Sequence, residues 1–143
     1  MTDLGKFKEQ INKLVDYICA INPDPEFEKI RIKINLGMQA NPRDTCNLFS
    51  MHITEFADQI LKNDEDFFLK KDYKEELGAE RDAYEQIIFK LKDLWVKLNS
   101  DNKLRIFNFI KILLVLSCKV CKNEPLRTII NKYRDPSNLV TFD

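Results

Sequence analysis

The sequence predicts an all-α fold: a single-domain bundle of about five helices over residues 1–124, then a short C-terminal helix and tail over 125–143 that is partner-contacting or loose. Three observations predict it. Apolar residues recur every three or four positions through successive stretches, the period of one buried helical face. Asp24-Pro25 and Asn41-Pro42 each set an N-cap residue before a proline suited to the first helical position. Only three glycines, Gly5, Gly37 and Gly78, occur in 143 residues, too scattered for a closed β architecture or a phosphate-cradling loop.

The first helix spans about Asp3 to Ile21 behind a Thr2 cap, with Leu4, Phe7, Ile11, Leu14, Ile18 and Ile21 on one stripe. Asn22-Pro23-Asp24-Pro25 ends it and starts the second, Pro25 to Gln39, with Phe27, Ile30, Ile34 and Met38 on one face. Ile30, Ile32, Ile34 and Leu36 also alternate as a strand would, but the cap and proline fit a helix and no second strand is available to pair. A third helix runs from Pro42 to about Lys62 along Thr45, Leu48, Phe49, His52, Ile53, Phe56 and Ile60; Asn63 to Gly78 reads as a turn and a short helix. The fourth, about Ala79 to Leu98, carries Tyr84, Ile87, Ile88, Leu91, Leu94, Trp95 and Leu98. Ser100 is the expected cap of the fifth, Asp101 to Lys122, which is apolar on nearly all sides. Such a helix belongs in the middle of a bundle or has one face covered by a partner. After Pro125, a short helix from Leu126 to Tyr133 precedes what reads as a loose tail.

Composition narrows the function. The formal net charge is zero, without the overall basic excess of a dedicated nucleic-acid binder. The most apolar run, Ile106 to Val120, is interrupted by Asn108, Lys111 and Lys119 and falls short of the ~20 apolar residues of a membrane span. Lys6, Lys8 and Glu9 interrupt the first apolar positions, so no secretory leader is expected, and four cysteines then imply free thiols in a reducing compartment.

Chemistry-bearing motifs are sparse. The single histidine, His52, cannot supply the paired Glu-x-x-His of a di-iron bundle, and it sits in an apolar stripe as a core or boundary residue. Cys118-Lys119-Val120-Cys121 has redox spacing, but it falls at a helix C-terminus, where the dipole opposes thiolate formation; Cys19 and Cys46 make no second matching pair for zinc. Counted from Asp64, the glycine and glutamate places of a calcium loop hold Leu69 and Glu75, so the sharp turn is missing. No enzyme activity, metal or cofactor is expected.

What remains is binding. From Glu55 to Gln86 eleven acids face five bases, a net of −6, whereas from Lys97 to Arg134 nine bases face two acids, a net of +7. This polarity suits a charged partner or head-to-tail assembly, or else two solvated faces that cancel within the monomer. Phe67-Phe68, set among charges, is an anchor for a partner or a clamp for its own loop. The candidate partner-binding residues are Phe67, Phe68, Lys103, Arg105, Lys119, Lys122, Arg127, Lys132 and Arg134.

Asn41-Pro42-Arg43, Asp64-Glu65-Asp66-Phe67-Phe68, Leu94-Trp95-x-x-Leu98, Asn102-Lys103 with Ile106, and the run Ile110 to Ser117 together carry a resemblance over residues 41–118. In these motifs the chain resembles small helical proteins encoded by large double-stranded DNA viruses of algae and protists, some of them similar to minor virion proteins. The resemblance implies a minor capsid component that bridges other capsid proteins or copies of itself, in the virion and host cytoplasm. It implies no catalytic residues. Two alternatives stand beside it: a soluble helical adaptor that takes a partner's helix, and nucleic-acid association through Lys97 to Arg134, with Phe107, Phe109 or Tyr133 stacking on bases.

Overall fold

The computed structural model describes residues 2–66 and 92–142. Each early helix starts where a side chain satisfies the first unpaired amides. Thr2 Oγ1 accepts from Gly5 N–H at 3.0 Å and opens α1 (Asp3–Ile21). Asp24 Oδ1 accepts from Glu26 N–H at 2.9 Å and opens α2 (Pro25–Ala40), which is helical despite its alternating isoleucines. Asn41 Oδ1 accepts from Asp44 N–H at 3.1 Å and opens α3 (Pro42–Ile53). Each such cap contributes about 1 kcal/mol. Asn41 both ends α2 and starts α3, so the two helices meet closely. A Cβ on Gly37 would stand 3.2 Å from Thr45 Oγ1, which leaves little room for a larger residue there.

The third predicted helix is broken. After α3 come a 3-10 turn (Thr54–Phe56) and α4 (Ala57–Leu61), where the sequence predicts one helix to Lys62. The apolar stripe continues across the break, with Phe49, Ile53, Phe56 and Ile60 all buried, so periodicity alone does not reveal it. The cause is polar. Thr54 Oγ1 donates back to the Ser50 carbonyl at 2.6 Å, a bond that bends helices, and Asn123 Nδ2 donates to both Ser50 Oγ (2.8 Å) and Thr54 Oγ1 (3.1 Å). Asn63, in the left-handed conformation at φ 56°, then closes α4.

The long helix α5 (Ser100–Cys121) starts one residue before its predicted position, because Asn99 rather than Ser100 provides the cap, accepting from Asn102 N–H at 2.8 Å. It packs against α1, α3, α4 and α6 (Glu124–Lys132), the central place its composition implies. Ile106, Phe107, Ile110, Leu113, Leu114 and Leu116 are buried there. Trp95, 1% exposed, sits edge-on to Phe107 with centroids 5.2 Å apart, and its indole N–H donates to Glu65 Oε2 at 3.3 Å. Of the fourth predicted helix, residues 92–95 are helical and a turn follows at 96–97; Tyr84, Ile87, Ile88 and Leu91 lie outside the described residues.

Asn123 caps α6 through Leu126 N–H at 3.1 Å, and Pro125 falls within its first turn, so the helix begins two residues before the sequence expectation. The segment predicted to be a loose tail is folded back. Asn131 holds Val140 by both backbone groups (2.8 and 3.1 Å), Arg134 Nη1 donates to the Asn138 carbonyl at 2.9 Å, and Val140 is buried. Among the described residues no strand occurs, and no helix is long and apolar enough to cross a membrane.

Two stability predictions follow from the polar joints. Asn123→Ala removes a cap and the Nδ2 donor shared by Thr54 Oγ1 and Ser50 Oγ, of which Ser50 is 2% exposed, and is expected to cost about 2–4 kcal/mol in urea unfolding. Asn123→Ser, which keeps an N-cap acceptor but cannot reach α3, should recover roughly 1 kcal/mol of that loss. Lys122 ends α5 at φ 50°, a conformation that costs a side-chain-bearing residue about 1–2 kcal/mol, so Lys122→Gly should raise the unfolding midpoint by a few degrees.

Candidate functional site

Among the described residues, two hollows share Arg134: one between α4, α5 and the end of α6, the other between α1, the end of α5 and the C-terminal segment. The first is an apolar groove of about 400 Å³ lined by Leu61, Ile112, Val115, Leu116 and Tyr133, with Lys111 and Arg134 beside them. It arises because α5 is apolar on more sides than its neighbours cover: Ile112 remains 45% exposed and Tyr133 40%. The Tyr133 hydroxyl donates to Asp58 Oδ1 at 2.8 Å, which fixes the ring against α4 and holds its proton above the usual phenol range. Burial against this wall pushes the Lys111 ammonium below its ordinary pKa.

The second hollow, about 390 Å³, lies where the end of α5, the start of α1 and the C-terminal segment converge. Lys119, Lys122 and Arg134 line it together with Asp3, Thr141 and Phe142. Three candidate residues separated by up to fifteen positions in sequence are thus brought to one place.

The other candidates are dispersed. Lys103 Nζ pairs with Glu65 Oε2 at 3.2 Å and stands 6.0 Å from the Trp95 ring centroid; that hydrogen bond, with the one from Trp95, holds the Glu65 carboxyl below the usual carboxylate range. Arg105 lies 5.5 Å over the Tyr17 ring at an open hollow of about 620 Å³ between α1 and α5, lined by polar and apolar groups alike. Arg127 pairs with Glu124 and covers the Phe142 ring at 4.8 Å. Lys132 is exposed in the last turn of α6. Phe67 and Phe68 lie outside the described residues. Of the rings considered for base stacking, Phe107 is 3% exposed against Trp95, Phe109 is half-buried and packs on Tyr17, and Tyr133 is 40% exposed.

Sequence spacing missed the arrangement of the thiols. Cys121 reaches across to α3, donating to Asn47 Oδ1 at 2.9 Å, with the Cys46 thiol within hydrogen-bond reach, while Cys118 faces the Asn123 carbonyl. All four cysteines are free. Burial pushes the Cys118 thiol up to about 11, and burial followed by the neighbouring Cys121 raises Cys46 further. Among the described residues no group of three or more His, Cys, Asp or Glu side chains is arranged to hold a metal ion. His52 is half-buried in the last turn of α3.

No protein family, curated protein or solved structure matches this chain.

The thiol geometry predicts an order of reactivity. Cys46 and Cys118, fully buried, should resist iodoacetamide until the chain unfolds, whereas the half-buried Cys121 should be alkylated in the native protein. The raised Cys118 pKa also has a consequence for stability. Above the ordinary value of 9.0 the unfolded chain releases a proton that the folded one retains, so stability is full below pH 9 and falls as pH rises toward about 11. Cys118→Ala should reduce that alkaline slope in pH-dependent urea melts, leaving the part that Cys46 contributes.

Proposed function

We propose that this chain is a non-enzymatic structural or assembly protein that docks on other proteins, and that the apolar groove between α4, α5 and α6 is its docking face. The observation that carries this reading is the partly uncovered central helix. Apolar surface on α5 stays open at Ile112 and Val115 beside the aromatic face of Tyr133, with cationic side chains at the edge. An amphipathic partner helix carrying an apolar residue flanked by carboxylates fits that combination: the apolar side chain fills the groove and the acids meet Lys111 and Arg134. The setting implied by the resemblance, a minor capsid component bridging capsid proteins or copies of itself, is the specific form of this proposal. The nucleic-acid alternative is weaker, since Lys103, Arg105 and Arg127 are engaged within the chain and Phe107 is buried.

Ile112→Glu places a charge on a half-exposed position and should leave the fold intact while abolishing assembly. The check is crosslinking mass spectrometry of the native assembly together with light scattering on the purified chain. Crosslinks from Lys111 to a partner, at fixed stoichiometry and lost in Ile112→Glu, are the expected result. A chain that stays monomeric at high concentration and is missing from assembled particles sinks the reading.

A further inference from the structure

We propose that the basic cleft at the C-terminal end of α5 is a binding site for a phosphate group, free or carried on a small molecule. Among the described residues, three cations, Lys119, Lys122 and Arg134, and one carboxylate, Asp3, line a hollow of about 390 Å³. Among the described residues none of the three cations is in an ion pair, unlike Lys103 and Arg127. The negative end of α5 and the positive end of α1 both border the hollow and offset one another, so the full side-chain charges decide its sign. A carboxylate would leave much of that excess uncompensated, whereas a phosphate brings close to two negative charges and three acceptor oxygens.

The backbone supports the same conclusion. The chain closes α4 with Asn63, a residue that tolerates the left-handed conformation, yet it closes α5 with Lys122 at φ 50°. Glycine or asparagine would fit that position with less strain, and the lysine held there instead lines the cleft. The guanidinium of Arg134 is steadied by its bond to the Asn138 carbonyl, which leaves its remaining N–H groups for an oxyanion. Phe142, held beneath Arg127, gives the cleft one flat apolar wall against which an organic group attached to the phosphate can rest. The cleft is local: Lys103 and Arg105 lie near the opposite end of α5, and Arg127 is paired with Glu124, so the surface offers a compact anion pocket rather than a track for a polynucleotide.

The test uses the full chain, with inorganic phosphate and adenosine monophosphate as separate probes, each compared with chloride at equal ionic strength. Amide chemical-shift titration should localise the response to residues 119–122 and 134–142 and the first turn of α1. Lys119→Gln should weaken binding about tenfold, the effect of one lost charge-assisted bond. Lys122→Gly is the discriminating variant: it should be more heat-stable than the parent without phosphate, yet lose most of the phosphate response. Binding of either probe with that pattern supports the site, and tighter binding of the monophosphate assigns a role to the Phe142 wall. A response equal to that of chloride, one spread over the whole surface, or one unchanged in Lys122→Gly overturns the proposal.

Discussion

The arrangement of the helices depends on one side chain, Asn123, which satisfies three separate demands. Its Oδ1 caps α6, its Nδ2 ties Ser50 and Thr54 at the break after α3, and its backbone carbonyl lies 3.5 Å from the Cys118 thiol while its own N–H returns to the Cys118 carbonyl. Without the clamp, a straight continuation of α3 along its apolar stripe is the default that periodicity describes. With it, the chain turns and α4 packs on both α5 and α6. The groove bounded by Leu61 of α4, Ile112 of α5 and Tyr133 beyond α6 therefore owes its shape to a polar contact outside the groove itself. A half-buried amide with both ends paired specifies geometry more sharply than apolar contact does, because a slipped arrangement would strand its donors.

Much of the fold was legible in the sequence, and the reason is local. Caps and prolines act within four residues, so Thr2, Asp24-Pro25 and Asn41-Pro42 mark their helices without knowledge of tertiary structure. The central place of α5 was legible too, since only burial accommodates Ile106, Phe107, Ile110, Leu113 and Leu114 together. The break at Thr54 was not, because its cause lies 69 residues away in Asn123. Nor was the anchored C-terminal segment: Asn131 and Val140 carry no pattern that announces two reciprocal backbone bonds. The start of α6 lay between these cases. Asn123-Glu124-Pro125 repeats the cap-and-proline signal of the earlier helices with one residue inserted, and that insertion hides it.

The candidate site was legible as a composition and not as a place. The basic excess of residues 97–134 singles out a set of cations, yet a linear count cannot separate those that face the same hollow from those already engaged. Lys103 is held by Glu65 and Trp95, and Arg127 by Glu124 and Phe142, so part of the apparent polarity is balanced inside the chain. Tyr133 on Asp58 joins the two charged regions a second time. The residues left over are those at helix ends and in the folded-back segment, where the backbone turns away from neighbours able to pair them.

Both hollows border Arg134, and this follows from how α5 ends. A glycine at the end of α5 would close the helix with no side chain, and a C-terminal segment free in solvent would leave neither hollow its outer wall. Lys122 instead holds the left-handed turn, α6 folds back along α4 and α5, and Asn131 brings Val140 into the core. The returning segment then sets Arg134 at the border of both recesses and Phe142 in the cleft. A residue with restricted helical freedom, a polar clamp and a buried valine thus turn an amphipathic bundle, which by itself presents only a smooth solvated exterior, into a surface with two chemically distinct recesses.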